Sequence, residues 1–161
     1  MDTIRCCIPL YGDKMVDEWK NRAQEYPVEL AERIIHQHLS PFRIDQLSMH
    51  AQRGDPTSFY AQLSSLQQEV FLILLALNRL YFPTYKWLYQ SLERMQIKPH
   101  HIGERFRQAF SSAYAEAIAD MKRIVLETLG LVEDRHPDTD TTPVRRRLSY
   151  LRTPLKAMTF L

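Results

Sequence analysis

The sequence is short of residues that cross-link a fold or enrich it in turns. Its two cysteines, Cys6 and Cys7, are adjacent, which excludes an ordinary structural disulfide within the chain and a Cys-x-x-Cys metal knuckle. Only four of the 161 residues are glycine. The first residues lack the apolar core and small-residue cleavage site of a secretory signal. These absences predict a single cytoplasmic domain held together by its own hydrophobic core.

The chain also lacks an apolar run long enough to span a bilayer. Its longest run without a polar side chain, Val70–Leu77, is far shorter than the roughly 20 residues that a membrane helix needs. Such a run predicts a helix buried on all sides, with no membrane as partner. Asp55 and Pro56 open this central helix and Pro83 ends it, so we expect it over about 56–82.

Elsewhere, apolar residues recur mostly at spacings of three and four, which is typical of amphipathic helices. The sequence therefore predicts an all-α fold, a single bundle of about six to seven helices around the central one. The predicted helices span about 13–25, 28–39, 41–53, 56–82, 84–95, 100–109 and 111–133. The predicted organisation is an extended lead-in at 1–12, a helical domain at 13–136, and a mobile basic tail rich in Thr, Pro and Arg at 137–161.

Polar residues follow the central run in an unusual order. Asn78 and Arg79 end it, and both must bond specific groups because a buried unpaired amide or guanidinium is costly. Pro83 stops the helix and Thr84 can cap a new one, which places Lys86 in the first turn of that helix. The helix dipole disfavours a cation there, whereas a lysine beside free N-terminal amides can hold a phosphate. The alternative is a solvated surface lysine next to a buried tryptophan.

This stretch resembles a known signature. It is found in the helical domain that follows the catalytic domain in a group of bacterial nucleotidyltransferase-like proteins, distant relatives of the aminoglycoside nucleotidyltransferases. The residues that carry the resemblance are Asn78-Arg79-x-Tyr81-x-Pro83-x-Tyr85-Lys86-Trp87. Weaker matches are Gly12-Asp13-x-x-Val16-x-x-Trp19, Tyr26-Pro27-x-Glu29-Leu30-Ala31 and Arg53-Gly54-Asp55, so that the resemblance extends from about Leu10 to Tyr150.

The resemblance implies a helical accessory domain that closes over a nucleotide and shapes the acceptor pocket. It assigns Lys86 to the triphosphate, and the structural support of that site to Asn78, Arg79, Tyr81, Pro83, Tyr85 and Trp87. For the full-length family it also implies Mg²⁺ and a nucleoside triphosphate as cofactors. The expected partners are a missing catalytic domain or a second copy of the chain, and the lead-in is then the last strand of that domain or coil packed on the helices.

The catalytic motif of that family is missing. Its catalytic domain carries a Gly-Ser turn followed by paired aspartates that hold two magnesium ions, and no Gly-Ser occurs in this sequence. Asp138-Thr139-Asp140 spells a spaced carboxylate pair, but it follows the last predicted helix without a strand to fix its geometry. We therefore predict no catalytic and no metal-binding residue, and a chain that is either a truncated gene product or a stand-alone domain.

Two other functions compete with this interpretation. Arg33 and His38 have the spacing of a helical ribonuclease that accompanies minimal nucleotidyltransferases, but arginine is common enough for chance to supply that spacing. A non-enzymatic interaction module is the other. Its basic tail carries five cations and no acid after Thr142, namely Arg145, Arg146, Arg147, Arg152 and Lys156. Only Tyr150 could stack on a base there, so nucleic-acid binding is not expected.

The missing motif generates a first prediction. Incubated alone with labelled nucleoside triphosphates and Mg²⁺, this chain transfers no nucleotide, because it lacks the carboxylates that position the metal ions and the triphosphate. The measurement is label transfer to water or acceptors over background. Turnover that persists in a variant carrying both Asp138→Ala and Asp140→Ala, with contaminants removed, would reveal a catalytic centre elsewhere in the chain.

Overall fold

The structure is a computed structural model that describes residue 4 and residues 7–150. Within this part every regular element is a helix, which confirms the predicted all-α class. In chain order the helices are α1 (Asp13–Arg22), α2 (Val28–Leu39), α3 (Ile44–Gln52), α4 (Pro56–Leu77), a 3₁₀ turn (Tyr85–Trp87), α5 (Leu88–Arg94), α6 (Ile102–Gln108), α7 (Tyr114–Arg135) and α8 (Thr142–Tyr150). None of the described helices combines the length and the apolarity that a bilayer crossing requires.

Helix α4 is the centre of the fold, as its composition predicted. Its N-terminus is capped by Asp55, whose carboxylate accepts a hydrogen bond of 3.0 Å from the Ser58 amide. Helices α2, α3 and α7 pack against it. From Val70 to Leu77 every side chain is buried except Leu72, which is half-buried. Each large apolar side chain buried here contributes roughly 1.5–3 kcal/mol, so this helix supplies much of the core.

Several predicted helix starts or ends differ from the structure, and the largest differences lie around α3, α4 and α5. Helix α4 ends at Leu77 instead of about residue 82, because the chain leaves the helix at Asn78 and Arg79. Helix α3 begins at Ile44, since Phe42 turns inward and is buried just before it. Thr84 has φ +87, outside the extended conformation of a capping residue, and its side chain caps nothing. A 3₁₀ turn therefore precedes α5.

The segment predicted as a mobile tail contains an ordered helix, so that prediction was wrong for residues 142–150. Helix α8 places Val144 and Leu148 one turn apart, and both are buried in the common core. Two apolar residues in a run that also contains three arginines form a weak helical pattern. For this reason the composition suggested a solvated segment. The remaining tail residues, 151–161, lie outside the described residues.

An ion pair fastens α8 to the end of α7. The Arg145 guanidinium donates two hydrogen bonds, of 2.6 and 2.7 Å, to the two carboxylate oxygens of Glu133. The Thr141 hydroxyl donates to the same carboxylate. Farther along α8, Arg147 donates a 2.9 Å hydrogen bond to the carbonyl of Ser40 at the end of α2. These contacts connect α8 to both neighbours.

The predicted lead-in forms no strand over its described residues, 7–12. Its residues 1–3, 5 and 6 lie outside the described part of the chain. Ile8, Leu10 and Tyr11 are 85%, 98% and 95% exposed, so they do not pack on the helices either. Helix α1 buries none of its residues, and its apolar side chains Met15 and Trp19 stay about half exposed. This end of the molecule therefore presents apolar side chains to solvent.

The ion pair of α8 generates a prediction on pH dependence. Hydrogen bonds from Arg145 lower the pKa of the Glu133 carboxyl, with a further contribution from Thr141. A lowered folded-state pKa stabilises the protein above the ordinary carboxyl value, about 4.3, and this stabilisation is lost as the pH falls through the lowered pKa. Both partners are more than a third exposed, so the gain is below about 1 kcal/mol.

Urea unfolding of wild type and Glu133→Gln at a series of pH values measures this gain. The difference in unfolding free energy is expected at pH 7 and shrinks below about pH 4. Asp134→Asn, an exposed neighbour on the same helix, is the matched control and should show no such difference. A difference between wild type and Glu133→Gln that is constant from pH 7 to pH 3 would show that it does not come from the ion pair.

Candidate functional site

The side-chain amide of Asn78 joins the end of α4 to the segment after α5. Its nitrogen donates to the carbonyls of Leu74, at 2.8 Å, and Ile97, at 2.7 Å. Its oxygen accepts from the backbone amides of Gln96, at 2.8 Å, and Ile97, at 2.9 Å. All hydrogen-bonding positions of the amide are thus used. The sequence predicted that Asn78 must bond specific groups, and in the structure these groups are the last turn of α4 and the Gln96–Ile97 turn.

Arg79 occupies a position that normally belongs to glycine. The Arg79 amide donates to the carbonyl of Ala76 at 3.0 Å, and the Leu80 amide donates to that of Leu75 at 2.9 Å. This pair of bonds is the Schellman pattern, whose residue after the C-cap is usually glycine because it is left-handed. Arg79 has φ +52 there, which costs a residue with a Cβ roughly 1 kcal/mol. The strained turn thus carries the exposed guanidinium of Arg79 directly after the four hydrogen bonds of the Asn78 side chain.

Asn78 and Arg79 form part of a cleft of about 490 Å³, which we call the cationic cleft. The ends of three helices meet there: α4, α5, which ends at Arg94, and α7, which ends at Arg135. Its basic side chains come from all three of these ends, and the rest of its lining is apolar or neutral. The full lining is Val28, Ala31, Ala76, Leu77, Asn78, Arg79, Arg94, Gln96, Ile97, Arg135 and His136.

The three guanidiniums of the cationic cleft have no side-chain partner within the described part of the chain. None of Arg79, Arg94 and Arg135 forms a salt bridge or a side-chain hydrogen bond with another described residue, and no described acidic residue lines the cleft. Elsewhere Arg105 and Arg145 are both paired with carboxylates. The guanidiniums of the cleft therefore keep their N–H donors available to a ligand.

The dipoles of the three helix ends neutralise only part of the positive charge of the guanidiniums. Each helix C-terminus carries a partial charge of about −0.5, so the three ends supply about −1.5. Three guanidiniums supply +3, and His136 adds to this when protonated. An excess of positive charge remains after the helix ends are neutralised. The cleft is therefore suited to an anion.

Lys86, the phosphate-binding candidate from the sequence, does not line the cationic cleft. It is exposed in the 3₁₀ turn, and its ammonium lies 5.3 Å from the centre of the Trp87 ring. The N-cap of α5 is Trp87, so Lys86 precedes the first turn of that helix instead of lying within it. Trp87 is 49% exposed and is not the buried neighbour of the alternative interpretation.

The other signature residues support the loop between α4 and α5. The Tyr81 hydroxyl donates to the carbonyl of Glu25 at 3.1 Å, and Pro83 is buried. The Tyr85 hydroxyl accepts a 3.0 Å hydrogen bond from Gln68 of α4. The structure thus brings Asn78 and Arg79 into the cleft and leaves Tyr81, Pro83 and Tyr85 in this loop.

The remaining sequence candidates lie apart from the cleft. His38 contacts the Glu69 carboxylate at 2.5 Å through Nδ1 and links α2 to α4, whereas Arg33 is exposed without a polar contact to the described residues. Asp138 is exposed, and Asp140 accepts a 2.9 Å hydrogen bond from the Thr142 amide. The described part of the chain contains no cluster of three or more metal-ligating side chains.

Sequence reasoning missed Arg94, Arg135 and His136. Their signal was weak, because an arginine in the last turn of a helix is explained by the helix dipole alone. What distinguishes Arg94 and Arg135 is that their helices end beside Arg79, and this needs the packing of α5 and α7 on α4. A prediction of converging helix ends would have been required to find them.

At the turn that ends α4, we predict opposite effects of two substitutions on the free energy of unfolding. Asn78→Ala should lower the free energy of unfolding by about 1–3 kcal/mol, because each of four backbone groups loses a hydrogen bond to the side-chain amide. Arg79→Gly should raise it by about 1 kcal/mol, because glycine adopts φ +52 without strain. Urea unfolding measures both, and Arg79→Gln, which keeps the strain, should stay close to wild type. A destabilised Arg79→Gly would mean that the guanidinium is bonded in solution.

Comparison with known proteins adds one family. No curated protein and no solved structure matches the chain. Residues 9–88 match a family model. The matched segment includes Asn78, Arg79 and Lys86 but ends before Arg94 and Arg135. This family is described as a domain of unknown function, so the match assigns no function to the cleft. Over residues 9–88 this chain is similar to the domain of unknown function DUF4037.

Proposed function

We propose that this chain is a helical nucleotide-binding module whose cationic cleft holds the phosphate groups of its ligand. The observation that carries this proposal is the group of three unpaired guanidiniums, Arg79, Arg94 and Arg135, around one cleft without a described acid. Guanidiniums bind phosphate oxygens through two parallel N–H···O bonds, which is why arginine predominates at phosphate sites. The cleft offers three such groups within reach of one ligand.

The volume of the cationic cleft and its apolar lining support an organic phosphate as the ligand. A volume of about 490 Å³ lies within the range of roughly 300–1,000 Å³ that is usual for small-molecule sites. Val28, Ala31 and Ile97 give the cleft an apolar side next to the guanidiniums. An apolar wall beside a cluster of cations fits a ligand with an uncharged body and an anionic group, as in a nucleotide.

The resemblance to the bacterial nucleotidyltransferase-like proteins supplies the context of this proposal. Such a module would hold the nucleotide for a catalytic domain on another chain or segment, since the sequence lacks the Gly-Ser and paired-aspartate motif. A cytoplasmic setting fits the adjacent cysteines and the nucleotide ligand. In that context Lys86 remains a second candidate for contact with the triphosphate, from the loop that precedes α5.

The proposal predicts that the arginines of the cleft determine binding of inorganic triphosphate and of ATP. Arg94→Gln and Arg135→Gln should each weaken binding about tenfold or more, because a charge-assisted hydrogen bond is worth roughly 1.5–3 kcal/mol. Affinity should also fall with added salt. Calorimetric titration at low and moderate salt measures both effects.

Arg22→Gln is the matched control. Arg22 is also exposed in the last turn of a helix and does not line the cleft. Its substitution by glutamine removes the same charge from the chain. The variant should bind triphosphate as wild type does. Equal affinity of Arg94→Gln, Arg135→Gln and wild type would refute the cleft as the site. If Lys86→Gln alone loses affinity, the anion binds at the loop before α5 instead.

A further inference from the structure

A second pocket, of about 340 Å³, lies over a part of α4 that the other described residues cover incompletely. We call it the apolar pocket. It shares no lining residue with the cationic cleft. Half-buried Leu72 of α4 forms part of its lining, together with Leu30 and Ile34 of α2 and with Tyr81 and Phe82 of the following loop. No charged residue of the described chain lines it, so a charged ligand would find no counter-ion there.

Tyr26 also lines the apolar pocket, and its hydroxyl has no hydrogen-bond partner among the described residues. The residue is only 9% exposed, its hydroxyl oxygen is buried, and no described group accepts or donates a hydrogen bond to it. The neighbouring Tyr81 ring lies 4.8 Å away, but the Tyr81 hydroxyl already donates to the carbonyl of Glu25. Buried hydroxyls are almost always paired in native proteins, so an unpaired one needs an explanation.

A trapped water explains the unpaired hydroxyl poorly. A buried water typically makes about three hydrogen bonds, whereas the side chains that line the pocket offer it two polar groups, the hydroxyls of Tyr26 and Tyr81, of which the second is already bonded to Glu25. A ligand that buries apolar surface and accepts one hydrogen bond would satisfy both the pocket and the hydroxyl. Burial raises the pKa of Tyr26 to about 12, with a smaller effect of Tyr81. The hydroxyl is therefore a donor at neutral pH.

We propose that the apolar pocket binds a small uncharged ligand that combines an apolar or aromatic body with a carbonyl oxygen, and that the Tyr26 hydroxyl donates a hydrogen bond to that oxygen. A cavity of about 150 Å³ is enough to hold benzene, so this pocket has room for one ring and a substituent. The ring of Phe82, which is 36% exposed, borders the pocket on its solvent side. The proposal does not depend on the function proposed for the cationic cleft.

Acetophenone and ethylbenzene test the proposal, because the two probes have nearly the same shape and differ in the carbonyl oxygen. Both are titrated into the full chain while the methyl resonances of Leu30, Ile34 and Leu72 are followed by NMR. Tyr26→Phe should weaken acetophenone about tenfold and leave ethylbenzene within about twofold, since one hydrogen bond to a buried hydroxyl is worth about one power of ten in affinity. The comparison isolates the contact between hydroxyl and carbonyl.

Two further variants keep the test sharp. Leu72→Phe partly fills the pocket and should weaken the binding of both probes. Tyr11→Phe removes a hydroxyl from an exposed residue outside the pocket and should leave the binding of both probes unchanged. Failure of both probes to shift the three methyl resonances would overturn the site. An equal effect of Tyr26→Phe on the two probes, or none on either, would overturn carbonyl recognition.

Discussion

The shape of the charged end of this protein depends on the side-chain amide of Asn78. It is bonded to α4 on one side and to the Gln96–Ile97 turn on the other, so the segment after α5 cannot move independently of the central helix. Arg79 follows it directly, and Arg94 lies two residues before that turn. The backbone positions that carry these two arginines are therefore held together by one residue whose side-chain hydrogen bonds all run to backbone atoms.

Apolar periodicity was sufficient to predict the core of the fold. The burial of Ile35 on α2, of the run that ends at Leu77 on α4, and of Met121 on α7 follows from spacing alone. Helix α8 could not be predicted in this way, because it buries just Val144 and Leu148 and otherwise depends on a carboxylate of another helix. Local pattern carries no information on such a contact.

Of the residues that line the cationic cleft, the sequence singled out only Asn78 and Arg79, and it assigned both to structural support. Asn78 and Arg79 attracted attention because polar residues end a buried run, and the structure explains the two residues by a four-bond clamp and a strained left-handed turn. Arg94 and Arg135 obey every local rule, since a cation suits a helix C-terminus. Their common function as lining of one cleft arises from tertiary packing and has no counterpart in the sequence.

The cleft is built where helices end, which determines how selective it can be. At a helix N-terminus, free backbone amides hold an anion in a fixed geometry, whereas here the guanidinium donors are at the tips of exposed arginine side chains. Each such side chain loses up to roughly 2 kcal/mol of rotamer entropy when it is immobilised. If the proposed anion site is correct, discrimination between anions of similar charge should be low in the isolated chain, and a neighbour that orders the arginines beforehand would raise affinity and selectivity together.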